Sequence, residues 1–208
     1  MHLGMVLSFG LLLGMQHATE PDHLAAVASM ASRERSLSAG MFHGIAWGIG
    51  HTLMLLIVAG ALGVLGWVIS PLVAGNLERV VGAMLILLGI GVVRRLWHGR
   101  SHDHPNAHAH SPRLPWRSVV VGMVHGLAGS AALALFASES MPSLSWMLVY
   151  LAVFGFGSML GMALLSGVLA IPLSLTARHH TGVHRVLHGS VAVFSLALGG
   201  RLLFALGG

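Results

Sequence analysis

The chain contains no cysteine and no lysine, and little charge of either sign. Without cysteine there are no disulfides, thiolate metal ligands or cysteine nucleophiles, and the redox compartment leaves no mark. Only 8% of the 208 residues are charged, against roughly 25% in a soluble globular domain. So few ions cannot wet a surface, which excludes a water-soluble protein. The eleven basic residues, all Arg, outnumber six acids and give a net +5. They are spread too thinly for a phosphate-binding face, so nucleic acid is excluded as a partner. No His-Glu-x-x-His protease motif occurs. What abounds is apolar residues, 55% of the chain at a mean hydropathy of +0.83, and histidine, fifteen in all.

A membrane span needs about 20 mostly apolar residues. Six runs qualify, at roughly 3–30, 39–66, 76–97, 117–137, 145–172 and 184–206. The first has no basic leader and a polar middle, and it is expected to be a retained helix and not a signal peptide. The remaining long segment, 98–116, is polar and holds three Pro, which marks a loop. Arg33, Arg35, Arg94, Arg95, Arg100, Arg113, Arg117, Arg178 and Arg185 then fall on one side, with only Arg79 and Arg201 opposite. The positive-inside bias puts both termini outside and the 98–116 loop in the cytoplasm. The expected setting is a bacterial cytoplasmic membrane, with the lipid bilayer itself as a partner.

The chain also repeats itself. Gly14-Met15-Gln16-His17 aligns with Gly122-Met123-Val124-His125, Trp47-Gly48-Ile49-Gly50-His51 with Phe154-Gly155-Phe156-Gly157-Ser158, and Glu78-Arg79-Val80 with His184-Arg185-Val186. The offset stays between 106 and 108. Each half has three spans, an odd number, so the second half inserts upside down. The expected fold is an all-α integral membrane protein of six helices in two inverted three-helix repeats. Residues 1–97 form the first repeat, 98–116 the His-rich loop and 117–208 the second, within one membrane domain. Inverted repeats with a site near the midplane characterise secondary transporters.

The chemistry is concentrated in span one, which is interrupted by His17-Ala18-Thr19-Glu20-Pro21-Asp22-His23. A charge at that depth costs about 2.5 kcal/mol or more unless it is paired or metal-bound. Pro21 lacks an N–H and clashes with the His17 carbonyl four residues back. The first helix should therefore break near mid-bilayer and free backbone carbonyls there. At about 100° per residue a regular helix would splay His17, Asp22 and His23 apart, whereas an unwound turn can gather them. Imidazoles with a carboxylate suit a divalent first-row ion such as Ni, Co, Zn or Cu(II), while Ca and Mg want oxygen shells. The alternative is a kinked helix whose polar groups satisfy one another.

Span two supplies a partner. Gly40, Gly44 and Gly48 form a small-residue stripe that admits a close helix neighbour. His51 lies about 20° from Gly44 on the helical wheel and projects from the same face, as a fourth ligand or an interhelical hydrogen bond. His43, nearer the cytoplasmic end, is expected at the interface. His125, aligned with His17, is either a further ligand or relay, or a structural hydrogen bond. In the central loop His98, His102, His104, His108 and His110 form a tract that chelates metal loosely, or merely keeps the loop soluble. His179, His180 and His184 make a second cytoplasmic cluster. At the start of the chain, the amine, the adjacent amide and the His2 imidazole form a candidate chelate at the outer mouth.

His17-Ala18-Thr19-Glu20-Pro21-Asp22-His23 resembles the His-(four residues)-Asp-His signature of the nickel/cobalt transporter (NiCoT) family, and Gly50-His51-Thr52 resembles its Gly-His-Ser motif. Family members of the longer kind have eight spans and further acidic motifs. With six spans and few later acids, this chain is more similar to the short UreH-like nickel permease branch associated with urease maturation. The resemblance implies Ni²⁺ or Co²⁺ as transported substrate, with no permanent cofactor and no enzymatic activity. His17, Asp22, His23 and His51 are the positions that map to its functional motifs, with Glu20 in the second tier. A cytoplasmic nickel chaperone is a further candidate partner. The expectation is an importing permease. The nearest alternative is an efflux protein using the same site, followed by a haem-binding redox protein with two His axial ligands or a di-metal membrane enzyme.

Overall fold

The computed structural model describes residues 3–32, 36–98, 115–179 and 181–204, and every element among them is an α-helix. In chain order these are α1 (Leu3–His17), α2 (Pro21–Ala31), α3 (Leu37–Leu65), α4 (Pro71–Trp97), α5 (Trp116–Ser140), α6 (Leu144–His179) and α7 (Thr181–Phe204). Four of them, α3, α4, α6 and α7, are long and apolar enough to cross a membrane. Large apolar side chains such as Leu12, Ile57, Leu87, Val168 and Val193 face outward. An outward apolar surface is stable only against lipid, so the chain is a helical membrane protein.

Local chemistry sets the helix ends. Ser36 caps α3 by accepting from the Ala39 N–H at 3.2 Å, and Ser70 caps α4 with Pro71 at its first position, where a missing N–H costs nothing. α3 stops at Gly66, whose φ of 65° is left-handed and suits glycine. Two ends lie beyond their sequence-based limits. α5 continues to Ser140, so Glu139 belongs to the helix and not to a loop. α6 runs on to His179 with Pro172 inside it, where the apolar run alone stops at 172.

α3 lies at the centre, packed against α5 on one side and α6 on the other, while α1 packs on α6 and α4 on α7. The Gly40/Gly44/Gly48 stripe faces α6. A Cβ on Gly44 would come within 2.6 Å of the Met162 carbonyl oxygen, and one on Gly48 within 2.7 Å of the Met159 Cα. The main buried cluster joins Ala25, Ala26, Val27 and Met30 of α2 to Trp47, Leu85 and Met162. α2 packs against α3, α4, α6 and α7, and His23 at its start is fixed with it.

Candidate metal centre

Span one breaks where the proline requires. α1 ends at His17, Glu20 is extended at φ −61° and ψ 147°, and Pro21 opens α2. Two short bonds tie the turn, Thr19 N–H to the Gln16 carbonyl at 2.8 Å and Glu20 N–H to the His17 carbonyl at 3.0 Å. The Gly14 carbonyl accepts from Ser158 Oγ at 3.0 Å. The His17 carbonyl that Pro21 leaves without its helical donor thus finds another in Glu20, and those of Gly14 and Gln16 also accept hydrogen bonds. What the break supplies is a change of helix direction.

That change brings three imidazoles together. One ring nitrogen from each of His17, His23 and His51 lies within 4.8 Å of the others. The ring centroids are 4.3 Å apart for His17 and His23, and 5.3 Å for His23 and His51. His23 and His51 are 1% and 0% exposed. His17 Nδ1 donates to Glu20 Oε1 at 2.8 Å, and His23 Nδ1 donates to Asp22 Oδ1 at 3.0 Å. An ionised carboxylate only accepts, so each Nδ1 carries the proton and each Nε2 presents a lone pair. Both Nε2 atoms, and both nitrogens of His51, are buried without a hydrogen-bond partner. Nine in ten buried polar groups are satisfied in folded proteins. Orphaned nitrogens on three imidazoles packed together are what a cation would satisfy.

Asp22 does not sit with His17 and His51. Its Oδ1 also accepts the His23 backbone N–H at 2.9 Å, and its Oδ2 accepts His125 Nε2 at 2.8 Å. Asp22, His23 and His125 form a second compact group that shares His23 with the first. In this group Asp22 already engages one nitrogen of each imidazole, leaving His23 Nε2 and His125 Nδ1 bare, whereas the first group has four bare nitrogens on three rings. The first is therefore the better ligand set and the second its support. A carboxylate behind a ligating His is the usual supporting arrangement at metal sites.

The other candidates lie elsewhere. His43 bonds Ser118 of α5 through Nδ1 at 2.7 Å, two turns and about 12 Å along α3 from His51. His98 is exposed and its Nδ1 donates to the Arg94 carbonyl. His2, His102, His104, His108, His110 and His180 fall outside the described residues. Two residues absent from the sequence-based set line the site. Trp47 is fully buried with its ring 5.3 Å from His23 and 5.4 Å from His125, and Phe154 lies 5.2 Å from His17. These two occupy corresponding places in the repeat, the signal that marks them. Thr52 donates to the Gly155 carbonyl at 3.1 Å and pins α3 to α6 beside His51.

No family model matches the chain, and no solved structure matches it. It is 32% identical over 210 residues to the urease accessory protein UreH of Bacillus sp. (strain TB-90), an alignment covering 97% of this chain and 92% of that protein. At that identity over nearly the whole of both sequences, the chain belongs to the UreH family of urease accessory proteins, the short branch that its His17–His23 and Gly50–Thr52 motifs resemble.

Proposed function

We propose that this UreH-family protein is a secondary permease that imports Ni²⁺, with Co²⁺ as a second substrate, across the bacterial cytoplasmic membrane. The observation that carries the reading is the clustering of His17, His23 and His51 at a helix break, each with a buried ring nitrogen that has no hydrogen-bond partner. The ion is cargo and not a resident cofactor, and the reading requires transport and no catalysis. His17 Nε2, His23 Nε2 and His51 are its ligands. Asp22 and Glu20 orient two of them, and His125 braces Asp22. Two nitrogens each about 2.0–2.1 Å from a tetrahedral ion stand about 3.3 Å apart, so the three rings close by up to about an ångström around it. Half-exposed Glu20 stands at the edge of the cluster, consistent with an entrance lined by a charge that keeps its water.

Alternating access is the mechanism this arrangement favours. Six spans arise when α1 and α2 together count as one and α5 as the fourth. Packing across the two halves supports their descent from one repeat. A Cβ on Gly14 would overlap the Phe154 carbonyl, and one on Gly122 the Trp47 carbonyl. Likewise Gly50 abuts the Val119 carbonyl as Gly157 abuts that of Leu11. Each contact is the other displaced by 107 or 108 residues in both partners. Halves related in this way can rock about a central site and expose it to each side in turn. With the Arg bias, both termini lie outside and the His-rich loop in the cytoplasm, where a nickel chaperone for urease maturation would receive the ion.

Radioactive nickel uptake by cells expressing the wild type or His17→Ala tests the proposal. Loss of uptake in the variant is expected, and unchanged uptake would remove its basis. A deletion strain fixes the direction: weak urease activity under nickel limitation means import, and nickel sensitivity means export.

A further inference from the structure

At the end of the bundle where α4 hands over to the His-rich segment, α7 carries a second pair of imidazoles. His184 and His188 lie one turn apart with ring centroids 4.1 Å from each other. His188 is 6% exposed, and its Nε2 is buried without a partner. Thr176 of α6 directs its single hydroxyl proton to the Pro172 carbonyl at 2.8 Å. Its 3.3 Å contact with His184 Nδ1 is therefore one in which the ring N–H donates. That fixes the tautomer and leaves His184 Nε2 with a lone pair. Residues i and i+4 share a helix face, and two His at that spacing are how His-Glu-x-x-His sites grip one ion. Packing alone gives no reason to bury a bare imidazole nitrogen beside a second imidazole.

We propose that His184 and His188 form a second binding site for a divalent first-row transition ion, completed by water and weaker than the central cluster. Two protein ligands in place of three make it weaker, as does the neighbouring Arg95, whose guanidinium donates to Ser32 at the end of α2 at 2.9 Å. Its place in the bundle gives its use. The Ser29–Ser195 hydroxyl pair, at 2.8 Å, sets α2 beside α7. His23 lies six residues from Ser29 and His188 seven from Ser195 on the far side, a separation of about 20 Å along the helix axes. The pair thus stands between the central cluster and the end of the bundle where the His-rich segment begins. There a loosely held ion can be passed on. This staging role rests on the permease reading; the binding itself does not.

Nickel bound per chain, measured by equilibrium dialysis of the purified full-length protein, tests the site. The wild type is compared with the double variants His184→Ala/His188→Ala and His184→Gln/His188→Gln, and with His51→Ala. The loop histidines are common to all four and cancel in the differences. Each double variant is expected to bind one Ni²⁺ fewer, lost from the weaker part of the isotherm, while His51→Ala loses the tighter ion and keeps this one. A folded, monodisperse Gln variant that binds as many ions as the wild type overturns the site. Should both double variants misfold, the ring ¹⁵N signals of His184 and His188 in His51→Ala decide it. Paramagnetic broadening by Ni²⁺ supports the site, and signals unchanged at saturating Ni²⁺ overturn it. If His17→Ala and His51→Ala leave tight binding intact, the central reading fails while the α7 difference is still measurable.

Discussion

The two halves of the chain open differently. The first begins with α1 and α2, broken at Ala18–Glu20; the second begins with α5, continuous from Trp116 to Ser140. At the 108-residue offset, Thr19-Glu20-Pro21-Asp22-His23 faces Leu127-Ala128-Gly129-Ser130-Ala131. Both halves keep a histidine at the head of the segment, His17 and His125, but only the first keeps the proline, the acids and the second histidine. On the proposed reading, the difference is how one half carries the site and the other its brace. Pro21 turns the chain so that His23 swings back toward His17. α5, with no such turn, presents His125 to Asp22 from a straight helix. Its Gly126 and Gly129 let it lie against His51.

The comparison breaks most sharply at His23, which belongs to both groups around the centre. His23→Ala removes a proposed ligand and the group Asp22 orients, and nickel uptake is expected to fall at least about a hundredfold, on the order of the 3 kcal/mol lost with a charge-assisted contact. Uptake within tenfold of wild type would mean that the ion passes elsewhere. Next is the continuity of α5. Gly129→Pro would clash with the His125 carbonyl and cost about 3 kcal/mol or more, with loss of most folded protein in detergent. Pro21→Ala touches a first helical position, and its change of about 0.4–1 kcal/mol should leave uptake within about fivefold. Thermal melting of both variants checks the contrast. Equal destabilisation would mean that Pro21 itself, and not the packing of α2, holds the break in span one.

Much of this arrangement can be read from spacing and residue type, and the remainder depends on which helices meet. Pro21 announces its own break, because a missing N–H and a ring clash act locally. The glycine stripe faces α6 as a close-contact face should, while the ring of His51, nearly in line with it on the wheel, meets His17, His23 and His125 of α1, α2 and α5. Asp22 shows the limit. Its type and position within the motif suggest a ligand, but its partner is His125, 103 residues away, and no local rule sets that distance. Similarly, His184 has neighbours in sequence at His179 and His180, while in space its ring meets His188. The helix ends at Ser140 and His179 escaped because hydrophobicity marks where lipid begins, and the hydrogen-bonded helix outlasts it.

Asp22 also gives the next smaller effect. Its oxygens accept from His23 and His125, so on the proposed reading it is the carboxylate behind a ligand. Removing such a group typically weakens metal affinity by about 10–100-fold. Asp22→Asn keeps the size and one acceptor, and purified protein should still bind Ni²⁺, within that range of weakening and with unchanged stoichiometry. Loss of one equivalent would instead make Asp22 a ligand itself, and the division into ligands and support would have to be redrawn.

Glu20 should matter least, for a reason that sets it against Asp22. Both carboxylates accept an imidazole Nδ1–H, at 2.8 Å for Glu20 and 3.0 Å for Asp22, so distance alone would rank Glu20 first. Exposure reverses the order. Glu20 is 52% exposed and holds one histidine, whereas Asp22 is 28% exposed and holds two. A solvated ion pair is worth about 0–1 kcal/mol, which bounds the effect of Glu20→Gln at about fivefold in affinity, since the amide oxygen can still accept from His17. Isothermal titration of Ni²⁺ into Glu20→Gln and Asp22→Asn side by side measures the gap. A Glu20 effect as large as that of Asp22 would mean that the turn closes over Glu20 when the ion binds, shielding it from water in the loaded protein.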